Sequence, residues 1–165
     1  MNLFLLLNPT MHNIEKIIDL NLVKKTRLEL KNKKIAFTNG CFDILHRGHV
    51  TYLNQAKSKA DFLWIGLNSD SSVKALKGQS RPINNELSRA FLLANLICVD
   101  FITIFNQDTP VELVKAIKPD VYVKGGDYSI EDLVEYPVVK SYGGEVVIEP
   151  FIDGFSTTDI LKRGA

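Results

Sequence analysis

Ile35-Ala36-Phe37-Thr38-Asn39-Gly40-Cys41-Phe42-Asp43-Ile44-Leu45-His46-Arg47-Gly48-His49-Val50 is the stretch from which the architecture of this chain is read. It begins with a continuous apolar run and passes through a loop of glycines and small polar groups. It then opens into a helical pattern in which Val50, Leu53 and Ala56 recur along one side. Apolarity without alternation is what a strand covered on both faces requires, as in a parallel sheet. Similar runs follow at Phe62 to Leu67, Phe101 to Phe105, Val121-Tyr122-Val123 and Val146-Val147-Ile148. Between them the spacing predicts helices at about 48–60, 85–97, 109–117 and 130–141, with a last one after Ser156.

Strand and helix alternating in this way predict an α/β fold: a Rossmann-like, doubly wound parallel sheet of five strands with helices on both faces. Ahead of the first strand, Ile14, Ile17, Ile18, Leu22 and Leu28 recur at roughly helical spacing. Residues 1–31 are therefore expected to form an N-terminal helical extension to a domain spanning 32–165. With no domain before it but that helix, the chain reads as monofunctional.

Composition narrows the function classes. The 165 residues are 45% hydrophobic and 24% charged, which excludes disorder, collagen and coiled coil. Twenty Lys and Arg stand against nineteen Asp and Glu, a net charge of +1. That balance creates no long-range field for nucleic acid or an anionic membrane, so neither is an expected partner. Any bound phosphate must be held locally. Cys41 and Cys98 have no neighbours at metal-ligand spacing and are too few for a disulfide framework, the pattern of a reduced, cytoplasmic protein. The apolar run Leu3 to Leu7 is too short for a signal peptide or a membrane span, and translation starting at Met11 would omit it.

In a doubly wound sheet, ligands sit at the carboxyl ends of the strands. The loop after the first strand places His46 and His49 three residues apart at a helix start, on one face. There they join free backbone N–H groups and the positive end of the helix dipole, which together favour a phosphate. Gly48 between them permits close approach. Taken alone, His-x-Gly-His is more often a pair of ordinary surface or core histidines than a ligand set. Two histidines without a third ligand nearby make a poor zinc site, and no metal-binding residues are assigned. The loop lacks both G-x-x-x-x-G-K-[ST] and G-x-G-x-x-G, which disfavours a P-loop kinase and a Rossmann dehydrogenase.

The segment Gly40 to His49 resembles the signature of the nucleotidyltransferase superfamily that carries an HxGH motif. The superfamily's second signature, an Ile-Ser-Thr-Thr-like stretch, is matched by Phe155-Ser156-Thr157-Thr158-Asp159, which by itself is an ordinary helix N-cap. Within the superfamily, Thr38 to Asp43, Leu76 to Asn84, Asp108-Thr109-Pro110 and Lys124-Gly125-Gly126-Asp127-Tyr128 are similar to the heptose-phosphate adenylyltransferase group. The likeness covers roughly residues 33–163. Two features depart from the group: Glu135-Tyr136-Pro137 replaces a glycine-containing turn, and Ser88-Arg89 replaces an acidic-Arg pair. Both bear on sugar specificity.

The resemblance implies transfer of AMP from ATP to D-glycero-D-manno-heptose 1-phosphate, with Mg²⁺ accompanying ATP, in a homodimer supplying lipopolysaccharide core or other surface glycans. His46, His49 and Lys77 are then the expected catalytic residues. Asn39, Gly40, Cys41, Phe42, Gly48, Lys124, Gly125, Asp127, Ser156, Thr157 and Thr158 are expected to bind the nucleotide. Arg81, Arg89 and Asp43 are assigned to the sugar phosphate, although Asp43 could also hold its loop through backbone N–H groups, the favoured role, or help position metal. Two alternatives are a cytidylyltransferase for glycerol 3-phosphate or a related alcohol phosphate, and a nucleotide-binding module without turnover. Trp64 is expected in the core; Cys98 and His12 have no functional case.

Overall fold

The apolar runs become five parallel strands in the order β3-β2-β1-β4-β5, so the chain direction across the sheet reverses between β1 and β4. The strands are β1 (Ile35–Gly40), β2 (Phe62–Asn68), β3 (Phe101–Phe105), β4 (Val121–Gly125) and β5 (Glu145–Glu149). The helices are α1 (Val23–Glu29), α2 (Arg47–Lys57), α3 (Asp70–Lys77), α4 (Glu86–Ala94), α5 (Val111–Ile117) and α6 (Tyr136–Ser141). The computed structural model describes residues 13–127 and 129–150, together with Thr157. The helix expected after Ser156 lies outside the described residues, apart from Thr157, which is helical.

Each face of the sheet carries its own apolar layer, the physical consequence of strands that are apolar on both sides. Ala36, Leu63, Ile65, Val121 and Val123 pack with Leu53 and Ala56 of α2 and Ala90 and Leu93 of α4. On the other face Phe37, Trp64 and Tyr122 pack with Val23 of α1, Leu113 and Ile117 of α5 and Val139 of α6. Trp64 is fully buried, as expected, and its indole N–H is satisfied by the Thr103 hydroxyl at 3.0 Å. Three aspartates complete the backbone bonding at the amino edge. The carboxylates of Asp61, Asp120 and Asp100 accept the N–H of Lys34, Ile35 and Leu63 at 2.8, 2.8 and 2.7 Å. The opposite, carboxyl edge is where the loops with chemistry emerge.

Three sequence expectations change, the first being the helix expected at about 130–141, which is a 3₁₀ turn, Ile130–Asp132, followed by α6. Residues 70–77, outside the helices that the spacing predicts, form α3. Ser69 caps it by accepting the Ser72 N–H, Asp70 complements the dipole in the first turn, and Gly78 at φ 94 ends it. Lys74 and Lys77 consequently sit in the last turn of a helix. The expected N-terminal helices are shorter: two 3₁₀ turns, Ile14–Lys16 and Leu20–Leu22, lead into α1. This segment packs on the domain. Ile17 bridges Ile102, the Ile18 N–H donates to the Ile102 carbonyl at 2.7 Å, and Arg27 Nε donates to the Ile117 carbonyl at 2.9 Å.

Candidate active site

The first turn of α2 carries the two histidines. His46, in extended backbone (φ −142, ψ 171), is the N-cap residue and makes no side-chain capping bond, which leaves its ring free to stack on His49. The rings lie 3.9 Å apart at 24°, and His49 meets the edge of Phe42 at 5.3 Å. Phe42 folds beneath the loop with a left-handed φ of 45 and is 6% exposed. Gly40 makes room for it: a Cβ there would stand 3.0 Å from the Phe42 ring. Gly48 lies between the histidines in the same helical turn.

The Nδ1 atoms of both histidines are buried without a protein partner, an arrangement that costs free energy unless a ligand supplies one. Burial lowers the pKa of His46. Burial, with the charges of His46 and Lys77, lowers that of His49 to about 4, outweighing the nearby Ile44 backbone, which favours the charged form. Near pH 7 the pair is neutral, with one ring N–H donor each. Lys77, exposed at the end of α3, is close enough for its charge to be felt at both His49 and Cys41. Burial pushes the Cys41 thiol up, so it stays protonated.

The residues assigned to the sugar phosphate are found in contact with protein. Asp43 is buried, and its carboxylate accepts from Arg81 Nε at 2.6 Å and from the N–H groups of Ile83 and Asn84 at 2.8 and 2.9 Å. Burial alone would raise the carboxyl pKa, but these donors outweigh it and hold it below the ordinary value. Arg89 has no exposed surface. Its guanidinium donates to the carbonyls of Asn84 and Cys41 at 2.9 and 2.6 Å and to the Asp70 carboxylate at 2.8 Å. A buried guanidinium needs such acceptors, and here they leave it no face for a ligand. Asp43 and Arg89 thus tie residues 81–84 and the start of α3 to the loop that precedes α2. Arg81 keeps a little exposed surface beside this tie, 14% of its side chain.

Across the switch point, the end of β4 supplies Lys124 and Gly125. Gly125 packs closely on α2, since a Cβ there would stand 3.2 Å from the Tyr52 ring and press on it. The Tyr52 hydroxyl joins the two central strands, 2.6 Å from the Thr38 hydroxyl and donating to the Val123 carbonyl at 3.0 Å. Asn39 Oδ1 accepts from the Tyr122 hydroxyl at 2.8 Å and from Lys124 Nζ at 3.2 Å. Asp127 is exposed beyond the strand. Ser156 and Thr158 lie outside the described residues, and Thr157 is half-buried. The first strand, α2, the end of α3 and the end of β4 therefore bring His46, His49, Lys77, Asn39, Cys41 and Lys124 to one edge. Tyr52 and Tyr122 went unnoticed in the sequence because each is an aromatic residue at an ordinary core position. Only three-dimensional pairing reveals what their hydroxyls hold.

Comparison with known proteins places the chain in a family. The family described as cytidylyltransferase-like matches residues 37–163. The bifunctional protein HldE of Geobacter metallireducens is 55% identical over 133 residues, covering 81% of this chain and 27% of that protein. The protein of the same name from Helicobacter hepaticus is 50% identical over 155 residues, 91% of this chain and 31% of its own. The chain thus spans about three-tenths of the length of these curated relatives. Among solved structures, the lipopolysaccharide core biosynthesis protein from Thermoplasma volcanium is similar with a TM-score of 0.59 and 28% identity, over 73% of this chain and 97% of that one. Pantothenate synthetase from Thermus thermophilus shares the fold, with a TM-score of 0.60 at 15% identity over 88% of this chain and 67% of its own. With the matched residues running from β1 to beyond β5 and taking in the whole histidine loop, this chain belongs to the cytidylyltransferase-like family.

Proposed function

We propose that this domain transfers AMP from ATP to D-glycero-D-manno-heptose 1-phosphate, forming ADP-heptose and pyrophosphate for lipopolysaccharide core or another surface glycan. The observation that carries this reading is the stacked, neutral histidine pair with unpartnered ring nitrogens in the first turn of α2. Its nearest support among relatives is the similarity to the HldE proteins and to the Thermoplasma lipopolysaccharide core biosynthesis protein.

In this reaction an oxygen of the sugar phosphate forms a bond to the α-phosphorus of ATP, and the bond from that phosphorus to the bridging oxygen of pyrophosphate breaks. The nucleophile is already an anion at neutral pH, so no strong base is needed. The obstacle is to bring two polyanions together and to stabilise the charge that spreads in the transition state. His46 and His49 serve as preorganised neutral donors beside the backbone N–H groups of α2. Lys77 adds a mobile positive charge where pyrophosphate leaves, and Gly40 and Gly48 let phosphate oxygens approach the backbone.

Mg²⁺ is expected with ATP and supplies charge neutralisation when bound. The described residues contain no group of three His, Cys, Asp or Glu that could hold a metal ion, and both Asp43 oxygens already accept hydrogen bonds. An ion here would be held chiefly by the triphosphate. No helix among the described residues is long and apolar enough to cross a membrane, and both cysteines are free. These features accord with a cytoplasmic enzyme, which we expect to act as a homodimer.

The test is pyrophosphate release with Mg²⁺, crossing ATP, CTP, GTP and UTP against heptose 1-phosphate and glycerol 3-phosphate. Release with ATP and the heptose alone is the expected result. Release with CTP and glycerol 3-phosphate would replace both substrates while keeping the reaction class, and silence throughout would favour a binding module.

A further inference from the structure

The proposed reaction joins two phosphate-bearing reactants, and the carboxyl edge of the sheet has donors on both faces. Side chains alternate along β1 and β4. Thr38 and the Tyr52 hydroxyl lie on the face covered by α2. Phe37, Asn39, Tyr122 and Lys124 belong to the opposite face, where Phe37 stacks on Tyr122 at 5.8 Å. On the α2 face the donors are His46, His49 and the helix amides. On the opposite face a second group forms around Asn39.

An ammonium group has no lone pair and can only donate. Lys124 Nζ, 3.2 Å from Asn39 Oδ1, therefore admits a single orientation of the amide. The Tyr122 hydroxyl, on a side chain with no exposed surface, grips the same oxygen from a second direction at 2.8 Å. Asn39 Nδ2 is turned away from both and is committed to donate elsewhere. The half-buried ends of β1 and β4 thus hold the Asn39 amide and the Lys124 ammonium on one face of the sheet, where the buried Glu135 carboxylate is near enough to favour the charged form of Lys124. Arg89 is wholly enclosed and Arg81 bonds Asp43, so the arginines of the α3–α4 segment do not supply a free anion site of this kind.

We propose that Lys124 Nζ and Asn39 Nδ2 form the subsite for the phosphate of the acceptor sugar, with Tyr122 as the positioning residue that fixes the Asn39 amide. The proposal rests on the transfer reaction above and assigns one of its two reactants. In-line displacement places the attacking oxygen and the leaving pyrophosphate on opposite sides of the α-phosphorus. With the α2 donors and Lys77 on the triphosphate, the attacking phosphate belongs with the donors of the other face.

Steady-state kinetics and calorimetric titration of heptose 1-phosphate onto wild type, Tyr122→Phe and Asn39→Asp test this. Tyr122→Phe keeps the ring stack and leaves Lys124 as the remaining donor to the Asn39 oxygen, loosening the amide, so the acceptor KM should rise about fivefold, the worth of one hydrogen bond. Asn39→Asp replaces the donor by a counter-ion for Lys124 and should raise that KM by roughly tenfold or more. In both variants the ATP KM and the melting temperature should stay near wild type. A rise in the ATP KM instead would assign the pair to the nucleotide and overturn the proposal. Both KM values, kcat and melting temperature moving together would make Tyr122 merely structural, and unchanged kinetics would remove the subsite. Should wild type release no pyrophosphate, the titration still decides. Sugar phosphate binding that Asn39→Asp abolishes would uphold the subsite while the transfer reading fell; equal binding, or none to wild type, would overturn it.

Discussion

Replacing Asp43 by Ala distinguishes a residue that holds the loop from one that touches the sugar phosphate. The carboxylate is 2% exposed and accepts from Arg81 Nε at 2.6 Å and from the N–H groups of Ile83 and Asn84 at 2.8 and 2.9 Å. Its removal leaves two backbone donors and a guanidinium, itself only 14% exposed, without their acceptor. Breaking a buried ion pair from one side costs about 3–5 kcal/mol, because the remaining charge is uncompensated. For a domain of this size each kcal/mol corresponds to roughly 2–4 °C, so the melting temperature should fall by about 10 °C. Differential scanning calorimetry reads this directly. A shift under roughly 3 °C with a raised acceptor KM would refute the reasoning and restore Asp43 to the sugar phosphate. The same carboxylate predicts a pH effect. Its pKa is lowered on folding, so its contribution is present above the unfolded value of about 3.9 and is lost as pH falls through the folded one. Wild type should therefore lose stability in that acid range more steeply than Asp43→Ala.

Three further outcomes are expected. His49→Ala should abolish pyrophosphate release while leaving the melting temperature within a few degrees. The folded His49 resists protonation down to about pH 4, so its contribution to wild-type stability is complete above the unfolded value of about 6.5 and declines between the two, a slope His49→Ala should lose in acid titration followed by calorimetry. Gly40→Ala should displace the Phe42 ring, 3.0 Å from the new Cβ, and with it the edge contact to His49, lowering kcat about tenfold or more in the pyrophosphate assay. Arg89→Met should leave the Cys41 and Asn84 carbonyls and Asp70 without their donor, costing about 3 kcal/mol or more in chemical denaturation; a variant as stable as wild type with a raised sugar phosphate KM would return Arg89 to the ligand.

The five strands and most helices could be read from the chain because each rests on local rules. Phe101 to Phe105 is apolar apart from Thr103, and it forms β3 with those bounds. The helix α3 escaped because it is eight residues long with two large apolar residues, Val73 and Leu76, too short a run to establish a period; its other signals are the Ser69 cap and the terminating Gly78. The 3₁₀ turns near Leu20 were read as helix because three-residue turns share the spacing of the first α-helical turn.

The histidine pair at a helix start was legible for the same reason: residues three apart on a helix meet whatever the rest of the chain does. The charges behaved differently. Asp43 lies in the loop before the histidines and Arg81 and Arg89 lie far along the chain, and nothing local tells whether their partners are protein or ligand. Arg89 reaches Cys41, 48 positions away, and Asn39 is bonded by residues 83 and 85 positions away. Such partners are set by how β1, β4 and α4 pack. The sequence by itself determined the parallel α/β architecture and the helix start that presents His46 and His49, because backbone geometry and hydrophobic period act over a few residues. Only the tertiary structure decided which charged groups are spent on one another and which remain for a ligand, because burial and distance between remote segments exist only once the chain has folded.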